Sequence, residues 1–382
     1  MKIIYIHQYF KPNEGIRSFE FIKHLLEKGH EVTVITAEHI EQDFQMEGLT
    51  VVSTNTRYSN NMSKMQRISA FLKFMLKGTF KGLGIKKPDV VFATSTPITV
   101  GFPAVIIKKL KRCKMVFEVR DVWPDIPVEM GFIKGRFVVW ALKKYEKWIY
   151  KNSAHIIPLS KGMHENIKKK GVAEEKLTTI ENISNLYLYS SVETILENRA
   201  NQPFVCIHPG TMGIVNGLDF VLDTAKIVAE KDKDIKFLLI GEGNRKEALK
   251  KRIEEEKIEN VEIRDGVPKR EVASLTEKAA VGFMCVDTKY KILEDNSANK
   301  FFDFLAAGLP TVINYGGWQK EVLEENECGF SETEPEKMAE RLCEMKNNGE
   351  LLKEYAENAK KTAENYSTKA ATEKLDKILE NL

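Results

Sequence analysis

Cysteine is scarce in this chain: five residues among 382, scattered and odd in number, with no C-x-x-C pair. Cys113, Cys206, Cys285, Cys328 and Cys343 therefore exclude a disulfide scaffold and a zinc ribbon, and read as reduced cytosolic thiols. Histidine is almost as sparse, seven residues with no H-E-x-x-H or other ligand spacing, so no metal site is expected. No G-x-x-x-x-G-K-[ST] occurs, which excludes P-loop chemistry. Neither charge sign dominates, the net being +3 with 30% charged residues, and no nucleic-acid-binding tail is implied. Long apolar runs are missing as well. Val90–Ile107 is uncharged for 18 residues, the membrane-spanning threshold, but TSTP and Pro103 break it into strand, loop and helix start. The opening MKIIYIHQYF has neither the charged region nor the cleavage site of a signal peptide and reads as a strand start.

What is present is length and alternation. A chain of 382 residues suggests two domains of roughly 100–200 residues each. The first half alternates short Val/Ile-rich runs (KIIYIH, HEVTVITA, DVVFAT, KMVFEV, AHIIPLS) with amphipathic stretches such as RSFEFIKHLLEKG. The second half repeats this with FVCIHPG, IKFLLIGEG, VEIRDGV, VGFMCV and TVINYGG. Uninterrupted apolar strands separated by helices predict an α/β fold: two doubly wound parallel sheets, each ringed by helices, facing a shared cleft. The expected division is 1–190, 191–364, and a terminal amphipathic helix over 365–382 that packs back on the first domain, with the polar stretch near 185–200 as the junction. Basic runs at 73–87, 108–114 and 143–151 all fall in the first half, interleaved with aromatic and aliphatic residues. They read either as solvated helix surface or as a positive face for an anionic membrane.

Open α/β sheets bind ligands beyond their strand C-termini, so the residues after strands carry the interest. After the first strand, Gly15 precedes a helix whose first turn holds Arg17 and Ser18, an anion-compatible start or a mere connection. After KMVFEV come Arg120, Asp121, Trp123 and Asp125, an Arg–Asp pair that is either used or a structural ion pair. After FVCIH, Gly210, Thr211 and Asn216 form a loop suited to phosphate contact through amides. GEGNRKE adds Arg245, and His208 reads as a satisfied polar residue. In EDNSANKFFDFLAAG, Asn296 or Ser297 is expected to cap a helix, exposing the amides of Ser297, Ala298 and Asn299 to a diphosphate. Lys300 would neutralise phosphate charge, Asp303 would accept both hydroxyls of a ribose, and Asp295 would reach another part of the ligand.

FEVRDVWPD, NSANKFFDFLAAG, LAAGLPTVI and NYGGW together resemble the retaining glycosyltransferases of family 4, which have the GT-B fold, over nearly the whole chain. That family carries a glycine loop after the first strand, a GHEVTVIT-like second strand, and two glutamates separated by seven residues; Asp295 and Asp303 occupy the glutamate positions. The resemblance reaches a bacterial branch that builds O-antigen and capsule repeat units, including N-acetylfucosamine transferases. It implies that Asp303 binds the nucleotide ribose and that Asp295 and residues 296–299 face the donor sugar and diphosphate. Asp121, with Arg120 beside it, would lie at the reacting centre; Gly15 would contact the donor, and Glu14, Arg17 and Trp123 the acceptor. Where many members have Gly-Arg and a downstream lysine at the diphosphate, this chain has Gly210-Thr211 and Asn216, leaving Lys300 or Arg245 to substitute; where many have His-Asp it has Arg120-Asp121. The implied activity is transfer of an N-acetylated hexose or 6-deoxyhexose from a UDP-sugar to an undecaprenyl-diphosphate-linked sugar, with retention, no metal or cofactor, at the inner face of the cell membrane. Two rival readings are a UDP-N-acetylhexosamine epimerase, against which the shortage of histidine argues, and a non-catalytic nucleotide-sugar-binding subunit.

Overall fold

The computed structural model describes all residues except 13–16, 39–45, 57, 60–61 and 201. The chain divides into two compact units, Met1–Glu181 with Ala371–Leu382, and Asn182–Ala370.

In the first unit six parallel strands, β1 (Lys2–Ile6), β2 (Glu31–Thr36), β3 (Leu49–Ser53), β4 (Val90–Thr94), β5 (Lys114–Val119) and β6 (His155–Pro158), lie in the order β3-β2-β1-β4-β5-β6. β1 pairs with β2 on one side and β4 on the other, with Ile4 opposite Thr33 and Val91. All the strands except the edge strand β3 are buried along most of their length, as continuous Val/Ile runs require of a parallel sheet covered on both faces. Helices α1 (Arg17–Glu27), α2 (Lys64–Gly84), α3 (Gly101–Lys111), α4 (Asp125–Glu129), α5 (Arg136–Asn152) and α6 (Lys161–Lys169) connect them. Apolar spacing decides which faces are buried: α1 turns Phe21, Ile22 and Leu25 inward. α2 starts at a capping box in which Ser63 and Gln66 satisfy each other's backbone amides. It meets α3 closely, since a Cβ on Gly82 would fall 2.2 Å from Ile107.

The second unit repeats the order with β7 (Val205–Pro209), β8 (Lys236–Ile240), β9 (Val261–Arg264), β10 (Val281–Met284), β11 (Thr311–Ile313) and β12 (Gly329–Ser331), arranged β12-β11-β10-β7-β8-β9. Its helices α7 (Val192–Arg199), α8 (Asp219–Lys231), α9 (Lys246–Glu256), α10 (Lys269–Lys278) and α11 (Asn299–Ala306) are followed by further helices to the C-terminus. Phe301, Phe302, Phe304 and Leu305 bury one side of α11 in the core. In both units the order reverses beside the first strand, between β1 and β4 and between β7 and β10, which is where doubly wound sheets open a ligand crevice.

The polar stretch near 185–200 belongs to the second unit. It contains α7, and Arg199 at its end donates to the carbonyls of Glu277, Ala307 and Gly308. Burial lowers the Arg199 pKa to about 9. The division falls earlier, at Glu181, where Lys374 of the C-terminal helix Thr368–Glu380 holds Thr179 and Glu181. Among the described residues no helix is long and apolar enough to cross a membrane.

Candidate functional site

In the second unit the loops after β7 and β10 and the start of α11 come together. Gly210, at φ +138°, follows β7 and donates its amide to Ile240. A Cβ on it would lie 2.9 Å from the Lys300 Nζ, so the glycine gives the ammonium room. Lys300 stands in the first turn of α11 and reaches His208 Nε2 at 2.9 Å; His208 Nδ1 lies 2.8 Å from the Phe283 carbonyl. A carbonyl only accepts, so Nδ1 carries the proton and Nε2 accepts from Lys300. Burial holds the imidazole well below its ordinary pKa, with the Lys300 charge adding to this, and lowers Lys300 itself to about 8. No carboxylate among the described residues pairs with Lys300, so its half-buried ammonium has the His208 ring but no counter-ion beside it.

The helix start differs from the sequence expectation. Ala298 is the N-cap, and neither Asn296 nor Ser297 caps α11. Asn296 forms an Asx turn instead: its Oδ1 accepts from the Ala298 amide at 3.1 Å and its Nδ2 donates to Leu293 at 2.7 Å. Trp318 Nε1 donates to the Asn296 carbonyl, and Asn182 Nδ2 to that of Ser297. The Ala298 amide is thus occupied and the Phe301 amide donates to the Ala298 carbonyl, so the amides of Asn299 and Lys300 are the first-turn donors without an acceptor inside the helix. Asp303 lies one turn beyond Lys300 on the same side of α11. Its Oδ1 is 3.4 Å from Asn185 Nδ2 and 3.7 Å from Lys269 Nζ, and burial raises its pKa above the usual carboxylate value. Asp295 ends the short turn Lys291–Asp295 that precedes Asn296.

The glycines at the neighbouring strand end serve packing. A Cβ on Gly241 would sit 1.9 Å from Gly210 O, and one on Gly243 2.2 Å from Met212 O. The two loops interlock through Met212 N to Glu242 O and Arg245 N to Met212 O. Asn216 turns back to donate to the Thr211 carbonyl, which bends the Gly210–Asn216 loop on itself. The Arg245 guanidinium donates to Asp219 at 2.8 Å. Both residues expected to substitute for a phosphate clamp meet this loop, Lys300 through its ammonium beside Gly210 and Arg245 through its backbone amide on Met212, its guanidinium being engaged by Asp219.

In the first unit, Asp121 is exposed after β5 and accepts from Thr96 Oγ1 at 2.7 Å, while the Arg120 amide donates to Ser95. No ion pair joins Arg120 to Asp121, so the pair is not a buried structural bridge. His7, just past β1, is pushed down to about 3 by burial and by the Arg120 charge. Placed as an acceptor contact, Arg17 lies buried, with Nε 2.6 Å from Glu118 Oε1, Nη1 on the Glu181 carbonyl, and the guanidinium over Phe21. Trp123 packs partly buried against the core of this unit. Glu14 and Gly15 lie outside the described residues.

His208 is the satisfied polar residue its sequence position suggests, and the residues not singled out from the sequence are Asn185 and Lys269 beside Asp303, and Glu118, buried between Arg17 and Thr94.

Residues 15–182 match the glycosyl transferase 4-like domain, and residues 195–362 match the glycosyl transferases group 1 domain. The chain is 24% identical over 243 residues to the poly(ribitol-phosphate) alpha-N-acetylglucosaminyltransferase of Staphylococcus aureus, covering 61% of this chain and 46% of that protein. The chain thus spans about half the length of this relative. Among solved structures, Anabaena HepE in complex with UDP-glucose superposes with a TM-score of 0.71 at 16% identity over 100% of both chains. S. aureus TarM, bound to fondaparinux, alpha-GlcNAc-glycerol and UDP, gives 0.68 at 14% identity over 98% of each.

Proposed function

The chain belongs to the glycosyltransferases of the GT-B fold, and on that premise we propose that it moves a sugar from a UDP-sugar to an undecaprenyl-diphosphate-linked sugar, with retention at the anomeric carbon and without a metal. The sugar is an N-acetylated hexose or 6-deoxyhexose, as in the N-acetylfucosamine-transferase branch that the motifs resemble, and the product is a repeat unit of O-antigen or capsule. The protein works as a peripheral enzyme on the inner face of the cell membrane. UDP and UDP-glucose in the fold's solved neighbours, and the N-acetylglucosaminyl group in the relative's name, support the donor class.

The observation that carries the reading is Lys300: an ammonium without a carboxylate partner among the described residues, set against Gly210 at the start of α11, with Asp303 one turn further. In the proposed step the acceptor hydroxyl oxygen bonds to the anomeric carbon as the bond from that carbon to the UDP phosphate oxygen breaks. The hydroxyl proton passes to the leaving phosphate. Negative charge grows on the diphosphate, so the largest catalytic term is its stabilisation by Lys300 and the Asn299 and Lys300 amides. Asp303 accepts the ribose hydroxyls, Asp295 contacts the donor sugar, and Asp121 orients the acceptor without attacking.

The test is a panel of UDP-sugars offered with a lipid-diphosphate-sugar acceptor, the product's anomer assigned by NMR. Transfer with retention supports the proposal. Isomerised UDP-sugar without acceptor would make the protein an epimerase, and nucleotide-sugar binding without turnover on any acceptor would make it a non-catalytic subunit.

A further inference from the structure

Beyond the end of α4 the first unit carries an open groove of about 580 Å³, lined by Val128, Ile133, Val139 and Trp140 together with Lys134, Arg136 and Lys143. No acidic side chain lines it. Lys143 lies 3.9 Å from Asp125, a carboxylate already held by Lys170 at 2.7 Å, while Lys134 and Arg136 have no carboxylate partner among the described residues. Large apolar side chains stand out beside it: Phe137 is 76% exposed, Phe132 57% and Trp140 56%. Phe137 stacks on Trp140 at 5.8 Å, and Lys144 sits 6.0 Å over the Trp140 ring. Isolated exposed hydrophobics are ordinary, but an aromatic cluster ringed by cations alone is not.

A second helix of the same unit shows the same chemistry independently. Met65, Ile68, Leu72, Leu76 and Phe80 follow i, i+3, i+7, i+11 and i+15 along α2, which puts them on one face, and all five are exposed. No acidic residue occurs between 64 and 84, where Arg67, Lys73, Lys77 and Lys81 accompany the stripe. α3 packs against both helices: Gly82 of α2 lies against its Ile107, and its own Gly101 lies against Ile149 of α5. Within α5 the one acidic residue, Glu146, is buried and paired with Lys170 at 2.6 Å.

We propose that this groove is a phosphate-headgroup site through which the first unit docks on an anionic bilayer. Lys134 and Arg136 contact lipid phosphates, Phe132, Phe137 and Trp140 enter the interfacial layer, and the α2 stripe widens the contact. An acidic soluble protein would match the cations, but it would leave the aromatic ring faces without an apolar phase; a bilayer offers both. The inference deepens the proposed function by naming how a membrane-held acceptor is approached, and rests on that reading for its purpose alone.

The experiment is co-sedimentation of the full-length protein with vesicles of phosphatidylcholine alone or with 30% phosphatidylglycerol, at low and high salt, with no donor or acceptor present. Each basic residue near an anionic surface is worth roughly fivefold in partitioning. Lys134→Gln/Arg136→Gln should therefore bind the anionic vesicles about 30-fold more weakly while keeping its circular dichroism and melting temperature. High salt should weaken the wild type in the same direction. Trp140 emission should shift to the blue on anionic vesicles, and the vesicle-induced shift should vanish in Trp140→Phe. Equal binding to both vesicle types, or unchanged binding by the double variant, would overturn the proposal. Because no sugar transfer is measured, that failure is separate from a failure of the enzymatic reading, which the transfer assay alone decides.

Discussion

Replacing Lys300 with methionine removes the ammonium and keeps most of the side-chain volume. A charge-assisted hydrogen bond contributes about 1.5–3 kcal/mol, so UDP should bind roughly 10- to 150-fold more weakly at pH 7. Transfer should fall by about 10²–10³ if the same group stabilises the leaving diphosphate. The pH dependence is more diagnostic. Burial lowers Lys300 to about 8 from its ordinary 10.5. Anion binding needs the protonated form, so the wild-type dissociation constant for UDP should rise through pH 8, by about tenfold between pH 7 and 9. UDP's own phosphates stay ionised over that range. In the Lys300→Met protein the rise should be absent. The linked effect on stability has the opposite sign from a lysine that gains a partner. The unfolded chain holds the proton more tightly between about pH 8 and 10.5, so this group's contribution to stability increases with pH across that window. Isothermal titration of UDP at half-unit steps from pH 6.5 to 9.5 provides the assay. A flat wild-type profile, or an identical rise in Lys300→Met, would refute the reasoning.

Three further outcomes follow from the geometry. Asp303→Asn should weaken UDP by roughly 1–3 kcal/mol and erase the preference for UDP over 2′-deoxy-UDP, measured by competition; a retained ribose preference would count against the assignment. Arg17→Ala should leave Glu118 buried and unpaired and cost about 3–5 kcal/mol in urea unfolding, and at temperatures where the variant is folded the acceptor KM should be unchanged. Gly241→Ala, whose Cβ would meet Gly210 O at 1.9 Å, should displace the Gly210 loop and weaken UDP binding without touching the ligand, seen as loss of UDP affinity alongside a lowered melting temperature.

The two sheets were legible because parallel strands covered on both faces must be apolar throughout, and helices between them must alternate with a 3.6 period. Their switch points follow from strand order, and these point to the loops after β7 and β10. Lys300 and Asp303 could be placed on one helix face from their spacing alone. The N-cap could not. Asn296 is a favourable cap by residue type, but it is committed to Leu293 and Ala298 and its carbonyl to Trp318, and these partners are supplied by tertiary structure. Arg17 could be placed in the first turn of a helix, but its partner Glu118, 101 positions away, is supplied by the fold. Arg245 was similarly hidden by Asp219 on another helix. The glycines of GEGNRKE stand at a strand end, where the space a side chain would take is filled by the backbone of the adjoining loop, a packing reason that sequence spacing does not carry.

The most direct measurement is a crystal structure of the protein soaked with a UDP-sugar. The account predicts the diphosphate against Lys300 Nζ and the Asn299 and Lys300 amides, with both ribose hydroxyls on Asp303. A nucleotide bound elsewhere, with Lys300 still engaging only His208, would contradict it.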